Sequence, residues 1–306
     1  MTAIQPPIRR RIVGATLRRY RENLGYSLGD AAGILECDRS KISRIETGQR
    51  GIRSRELYGL LAEYGVDKQA QETLAIIANP RGVRGWRQAY VHDLPDAYVD
   101  MIALEMAAPH IMVYETQQIP DLLQSEEYAY ALADECADLT SDSLQQLLIG
   151  TRINRQDIVL SEPRPEIAVV IGEAALRHMP GDPTVKRGQL SALASATSRF
   201  PEVRTQVLLS ENESHVARGA GSFTILRYTQ MPNLEVVYLR GISGGTFVED
   251  QVEVTAYESA FQQLTTSALT PDASATLIKQ MQHENTQEKE SSAQSQNKPN
   301  TWPGER

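Results

Sequence analysis

The stretch CDRSKISRIETGQR, residues 37–50, decides the fold of the N-terminal part of the chain. Asp38 can cap a helix that begins at Arg39. On such a helix Ile42 and Ile45 point to one side, so the outward side is almost entirely basic or hydroxyl-bearing. This pattern predicts a short helix that packs on a core and presents a cationic face to a polyanion.

The flanking segments predict four more short helices, which complete an α-helical head of five helices. The apolar stripe of the first helix consists of Val13, Leu17, Tyr20 and Leu24. Ser27 is placed as the cap of the second helix, and Ser54 and Asp67 begin the fourth and fifth. Five helices of this length can enclose one small core.

The net charge of −8 conceals an asymmetry between this head and the rest of the chain. Residues 1–60 contain 12 Lys and Arg against 6 Asp and Glu, a balance of +6. The remainder contains 31 − 12 = 19 bases and 39 − 6 = 33 acids, a balance of −14. A basic head on an acidic body predicts a polyanion-binding module attached to a domain that does not bind the polyanion itself.

The composition indicates a soluble protein of the cytoplasm. The chain has 306 residues, 41% of them hydrophobic, and no apolar run of the length that a membrane-spanning helix needs. Its first residues lack the apolar core of a secretory signal. Two cysteines are too few for a disulfide framework, which fits a reducing compartment. We therefore expect a cytoplasmic, nucleoid-associated protein without a membrane partner.

The pattern along the chain predicts four segments: a helix-turn-helix domain at 9–79, a linker at 80–89, an α+β domain at 90–283 and a disordered tail at 284–306. Candidate helices of the second domain cover 96–107, 122–136, 141–160, 184–199, 250–268 and 271–283. Candidate strands cover 110–115, 166–172, 204–209, 222–228, 235–241 and 244–249. The last three strands are close enough for an antiparallel meander, and we expect one mixed or antiparallel sheet.

Residues 14–66 resemble the Cro/repressor-type (xenobiotic-response-element family) helix-turn-helix, on the stretch LRRYRENLGYSLGDAAGILECDRSKISRIETGQR. The resemblance implies binding of double-stranded DNA, with the helix from Arg39 in the major groove. Together with the chemistry of the side chains, it implies base contacts from Arg39, Ser40, Lys41 and Arg44 and phosphate contacts from Ser27, Ser43, Arg50 and Arg53. It also implies a structural ion pair between Arg21 and Glu46.

Two features leave alternatives open. Many relatives have glutamine where this chain has Leu28, which removes a polar contact near the DNA backbone. The head is therefore either a DNA reader or a protein-interaction adaptor that has lost DNA binding, and intact Arg39, Lys41 and Arg44 favour the reader. The cluster at residues 9–11 is either an arm on phosphates or a solvated terminus. A single short helix reads too few bases to find one site in a genome, so we expect a homodimer on a two-fold operator.

The second domain also resembles a known family. Segments IPDLLQSEEY (119–128), VIGEAALR (170–177), GSFTILRY (221–228) and VVYLRGISGGTFVED (236–250) resemble the C-terminal domain of unknown function, family 5753, that follows such heads in actinobacterial regulators. The resemblance covers residues 90–280. It implies a transcriptional regulator whose partners include a small acidic protein, and it identifies no ligand.

The sequence predicts no enzyme, no metal site and no cofactor. The five histidines lack metal-ligand spacing, and neither a Gly-x-Ser-x-Gly elbow nor a phosphate-binding Walker loop is present. A binding role is better supported, through a small-molecule effector, a protein partner or dimerisation. Aromatic residues at predicted strand edges are candidates either for an effector pocket or for core packing; they are Tyr114, Tyr128, Phe223 and Tyr238.

Overall fold

The computed structural model describes residues 6–80, 94, 96–135, 142–211, 219, 221–231, 234–241 and 244–296. The five predicted helices of the head are α1 (Ile8–Asn23), α2 (Leu28–Ile34), α3 (Arg39–Glu46), α4 (Ser54–Glu63) and α5 (Lys68–Ala78). Their apolar sides meet in one core, in which Leu17, Ile45 and Leu57 are almost completely buried. The expectation for Leu24 is wrong. Because α1 ends at Asn23, Leu24 leaves the stripe and stays 46% exposed.

The second domain is a single six-stranded mixed sheet with helices, as predicted. Its strands are β1 (His110–Glu115), β2 (Glu166–Gly172), β3 (Val203–Leu208), β4 (Phe223–Arg227), β5 (Glu235–Gly241) and β6 (Gly244–Val248). Their order in the sheet is β3-β2-β1-β4-β5-β6. Strands β1 to β3 are parallel, whereas β4 is antiparallel to β1 and begins an antiparallel meander through β5 to β6.

The helices of this domain are α6 (Asp96–Ala107), α7 (Glu126–Asp134), α8 (Asp142–Val159), α9 (Glu173–Arg177), α10 (Pro183–Arg199), α11 (Gln251–Ser267) and α12 (Pro271–Gln296). Three differ from expectation. The predicted helix at 122–136 starts as a 3-10 turn, Asp121–Leu123, before Ser125 caps α7. The short α9 was not predicted. Helix α12 continues to Gln296, where the sequence predicts disorder from residue 284, because Gln, Glu, Lys and Ala favour helix even without an apolar face.

Both faces of the sheet are covered. Consecutive residues Val169, Val170 and Ile171 of β2 are all buried, as expected for a parallel strand with a layer on each side. One face belongs to the large core that includes α6, α7, α8, α10 and α12. The other face packs on α11 through Val254, Phe261 and similar side chains.

The head docks directly on the second domain. Helices α1 and α5 pack against α6, and apolar residues of both domains belong to one continuous core. The Nε atom of Arg9 lies 2.7 Å from Oδ1 of Asp100, and Arg11 forms an ion pair with Glu249. Both expectations for residues 9–11 are therefore wrong for these two arginines, because each binds a carboxylate of the body instead of remaining free for phosphate or water. The predicted linker lies, from residue 81 on, outside the described residues.

Candidate nucleic-acid interface

The position of α3 is fixed by a close approach to α1. A methyl group at Gly14 of α1 would lie 2.6 Å from the carbonyl oxygen of Glu46, and would also collide with that of Ile45. Only glycine allows the two helices to approach so closely. Asp38 occupies the N-cap position of α3, but its side chain makes no capping hydrogen bond.

A buried ion pair supports the same crossing. Nε and Nη2 of Arg21 donate to Oε1 and Oε2 of Glu46 at 2.6 and 2.9 Å, and Nη1 donates to the carbonyl oxygen of Tyr26 at 2.7 Å. Both side chains are buried, and the bidentate geometry fixes their relative orientation. Burial beside this pair raises the pKa of Tyr64 to about 12. The structure thus contains the pair that the resemblance implies, and this pair anchors the C-terminal end of α3 to α1.

The outward side of α3 carries three of the predicted base contacts. Arg39, Ser40 and Arg44 are exposed. Arg44 donates to the carbonyl oxygen and the hydroxyl of Ser40 at 3.2 and 3.5 Å, so the two side chains lie together. The guanidinium of Arg39 lies over Gly29 at the start of α2, where a methyl group would approach it to 3.0 Å. These residues form one cationic face that a major-groove edge can approach.

Lys41, the fourth predicted base contact, is held away from this face. Its Nζ lies 2.5 Å from Oε1 of Glu56 on α4, and both side chains are largely buried. The hydrogen bond from Lys41 lowers the pKa of Glu56. Lys41 must therefore break an ion pair before it can contact DNA. Sequence reasoning missed this because α3 and α4 meet only in the folded head.

The predicted phosphate contact at Ser27 is occupied by a capping box. The hydroxyl oxygen of Ser27 accepts from the backbone N–H groups of Gly29 and Asp30 at 3.1 and 3.2 Å, and Asp30 accepts from the backbone of Ser27 at 2.7 Å. These hydrogen bonds from Ser27 lower the pKa of Asp30 and keep a negative charge at the start of α2. The hydroxyl group of Ser27 is therefore already engaged by Gly29 and Asp30 before a phosphate approaches.

The remaining predicted phosphate contacts are Ser43 in the second half of α3, Arg50 in the loop after α3, and Arg53 at the N-cap of α4. Ser43 is half-buried, and its carbonyl oxygen accepts from the hydroxyl of Thr47 at 2.9 Å. Arg50 and Arg53 are exposed, and the backbone N–H of Arg50 donates to the carbonyl oxygen of Arg44 at 2.9 Å. The exposed Arg10 of α1 lies beside Gly51 in the same loop. Arg10 therefore lies beside the loop that carries the two predicted arginines, and the phosphate contact that the sequence analysis gave as one alternative for Arg10 stays a prediction.

An open concave surface lies between α2 and α3. It is lined by Ser27, Gly29, Asp30, Ala32, Gly33, Cys37, Asp38, Arg39 and Ser40. Its volume of about 680 Å³ and its polar lining suit an extended polar chain better than a small apolar molecule. The two acidic residues on its wall oppose a polyanion, and Arg39 partly offsets them.

The four aromatic residues proposed for an effector pocket do not come together. Tyr114 and Phe223 stack with ring centroids 5.6 Å apart on the α11 face of the sheet. Tyr128 and Tyr238 belong to the core on the opposite face. Tyr114 lines a cleft of about 230 Å³ at the carboxyl ends of β1, β2 and β3.

In the part of the chain that the structure describes, no group of three or more His, Cys, Asp or Glu side chains could hold a metal ion. Nor does any helix there have the length and apolar character needed to cross a membrane.

Comparison with known families identifies both parts of the chain. Residues 12–74 match the model of a helix-turn-helix domain. Residues 98–280, more than half of the chain, match the model of the domain of unknown function DUF5753. No curated protein and no solved structure matches.

Proposed function

The chain belongs to the DUF5753 family and carries a helix-turn-helix domain ahead of that domain, and we propose that it is a sequence-specific regulator of transcription. The observation that supports this most strongly is the exposed face of Arg39, Ser40 and Arg44 on a helix fixed by a buried ion pair. A rigid helix with exposed guanidinium groups can donate to guanine O6 and N7, and each good bidentate pair contributes about 1–3 kcal/mol of discrimination.

The roles of the arginines follow from their positions. Arg39 and Arg44 would contact base edges, with Ser40 between them. Arg10, Arg50 and Arg53 would contact phosphates. Other basic residues of the first sixty form ion pairs with described residues; they are Arg9, Arg11, Arg18, Arg21 and Lys41. Three phosphate contacts per head would give a salt slope of about −2.7.

The finer assignments are also proposals. The subfamily would be Cro/repressor-type, in a cytoplasmic protein of an actinobacterium. The protein would bind as a homodimer to half-sites about one helical turn apart. The second domain would bind an effector or a small acidic partner protein and catalyse no reaction.

A second candidate function, a protein-interaction adaptor, draws support from one observation. At the start of α2, Leu28 and the carboxylate of Asp30 lie where a phosphate would approach, and the capping box has used the local N–H groups. Such a surface repels a backbone phosphate. DNA affinity would then depend on the arginines alone.

The deciding experiment is selection of bound duplexes from a random DNA pool by the full-length protein at about 150 mM salt, where specific and non-specific binding separate. We expect enrichment of a two-fold symmetric motif, and Arg44→Ala should relax preference at one or two positions. Arg50→Ala should instead weaken binding to all sequences and flatten the salt slope by about one. Arg204→Ala, on the exposed edge strand β3, is the matched control and should leave the motif intact. No enrichment by the folded protein would favour the adaptor.

A further inference from the structure

A cluster of three arginines surrounds one buried carboxylate in the second domain. Asp121 is 5% exposed, and its Oδ2 lies 2.6 Å from Arg240 and 3.2 Å from Arg155, while its Oδ1 lies 3.7 Å from Nε of Arg152. Burial acts to raise the pKa of Asp121, but Arg152, Arg240 and Arg155 outweigh it and hold that pKa well below its ordinary value. Asp121 is therefore ionised. We refer to Asp121, Arg152, Arg155 and Arg240 as the arginine cluster.

Cations exceed contacting anions in the arginine cluster. Besides Asp121, the acid in contact is Glu105, whose Oε2 lies 2.8 Å from Nε of Arg155 without the alignment of a hydrogen bond. Three guanidinium groups thus share two carboxylates in direct contact. Glu115 is near but forms no ion pair with them, and burial raises the pKa of its carboxyl group. In direct contacts, the guanidinium groups of the cluster therefore outnumber the carboxylates by one.

Two of the arginines have N–H groups that form no hydrogen bond with the described residues. Nη2 of Arg240 donates to Asp121, and the other two nitrogens of Arg240 donate to none of the described residues. The Arg240 side chain is 37% exposed, so a ligand can approach it from solvent. Nη1 of Arg152 donates to Gln124 at 2.6 Å, but its buried Nε has no hydrogen-bond partner in the described chain. A guanidinium fixed by a buried carboxylate is positioned in advance for a second, planar or tetrahedral oxyanion.

The arginine cluster lies at the edge of the sheet where ligands commonly bind. Strand β5 runs in the same direction as β1, and Arg240 stands near its carboxyl end. Continuing the pairing of β1 with β4 and of β4 with β5 places Glu115, Ser222 and Arg240 in one row. Asp121 follows β1 at the same edge. In α/β sheets, ligands bind outside the carboxyl ends of the parallel strands.

We propose that the arginine cluster binds a small molecule carrying a carboxylate or phosphate group, which Arg240 and Arg152 hold while Asp121 fixes their positions. This inference extends the proposed function, because it assigns the effector site of the regulator and the chemical class of the effector. Arg155 is a positioning residue that connects Asp121 to Glu105 of α6.

The test is calorimetric titration of the full-length protein with inorganic phosphate and, separately, with succinate, at constant ionic strength set by chloride. We expect saturable binding of at least one probe. Titration to a probe concentration of about 10 mM detects a Kd near 1 mM. Loss of a charge-assisted hydrogen bond in Arg240→Gln should weaken this binding about tenfold or more. Arg204→Gln, which removes an exposed arginine from the opposite edge strand β3, should bind like the wild type.

The two probes and a second variant make the result decisive. Preference for phosphate or for succinate would identify which oxyanion the effector carries. If Arg240→Gln does not fold, Arg240→Lys replaces it, because lysine keeps a cation beside Asp121 but lacks the planar fork of donors that can hold Asp121 and a second oxyanion together, and the same loss is expected. Absence of saturable binding by the wild type, or equal binding by the Arg240 variant, overturns the proposal. Because no DNA is present, either result is independent of whether the head binds an operator.

Discussion

Removal of the Glu46 carboxylate tests whether the Arg21 ion pair holds the recognition helix in place. In Glu46→Leu, the buried guanidinium of Arg21 keeps its hydrogen bond to the carbonyl oxygen of Tyr26 and a 3.5 Å contact with Glu22, whose side chain is 50% exposed. Breaking one partner of a buried ion pair costs about 3–5 kcal/mol. Because one strong hydrogen bond remains, we expect a loss near the lower end, about 3 kcal/mol of the free energy of unfolding of the head.

The assay is thermal and denaturant unfolding of full-length protein, followed by circular dichroism. A domain of 60–100 residues loses about 4–8 °C of Tm per kcal/mol, so a head that unfolds by itself should lose roughly 12 °C or more. The double variant Arg21→Met/Glu46→Leu removes both charges and should recover most of this loss. Glu22→Gln, at the exposed neighbour, should leave Tm essentially unchanged. The reasoning fails if Glu46→Leu unfolds like the wild type, or if the double variant is the least stable of the set.

Four further variants test separate contacts. Gly14→Ala forces α1 and α3 apart and should cost about 1–3 kcal/mol in denaturant unfolding while weakening DNA binding at all sequences. Glu56→Gln releases Lys41 and removes a charge near the DNA, so affinity should rise most at low salt, and adding Lys41→Ala should abolish the gain. Asp100→Asn weakens one of the two ion pairs between head and body, and amide exchange of α1 and α6 should become faster while that of β2 is unchanged. Burial raises the pKa of the Glu115 carboxyl group above its ordinary value of 4.5, so the folded state binds the carboxyl proton more tightly than the unfolded state. The free energy of unfolding therefore falls as the pH rises from 4.5 to the raised pKa. Glu115→Gln should raise stability at pH 7, and this gain should vanish well below pH 4.5.

The head could be predicted because its signals are local. The Ser27 cap and the isoleucines of α3 lie within one or two turns of the helices that they determine. The predicted burial of Leu24 is wrong because the apolar period continues one residue beyond the end of the helix. The prediction of an exposed Lys41 is wrong for a different reason. Its partner on α4 is fifteen residues away, and helical spacing carries no information about how two helices cross.

The sheet was predictable in its strands but not in their order. Alternation and β-branched runs locate each strand, whereas pairing of β1 with β4 joins segments more than a hundred residues apart. The same alternation explains why the proposed aromatic pocket does not form. Tyr114 and Phe223 occupy positions of their strands that face α11, while Tyr238 faces the other side. Face assignment requires the register, which the sequence alone does not provide.

The arginine cluster was missed although part of it was visible in the sequence. Arg152 and Arg155 stand three residues apart on α8 and so share one side of that helix. Asp121 and Arg240 come from segments that meet only in the folded sheet. Two arginines at this spacing are usually solvated, and only burial around Asp121 distinguishes them from a surface pair.

Helix α6 connects the two proposed sites by direct contact. Asp100 binds Arg9 of the head, and Glu105 contacts Arg155 of the arginine cluster. Five residues correspond to about 140° around a helix and 7.5 Å along it, so these carboxylates lie on different sides of α6. An oxyanion that draws Arg240 and Arg152 away from Asp121 would change how Arg155 divides its contacts between Asp121 and Glu105 on one side of α6, while the head is held on the other side. Such a ligand alters DNA affinity only if it binds one position of α6 more tightly than another. The change in operator affinity at saturating oxyanion therefore measures the difference in oxyanion affinity between the two positions of α6. Asp100→Asn should reduce this change in operator affinity without altering oxyanion binding.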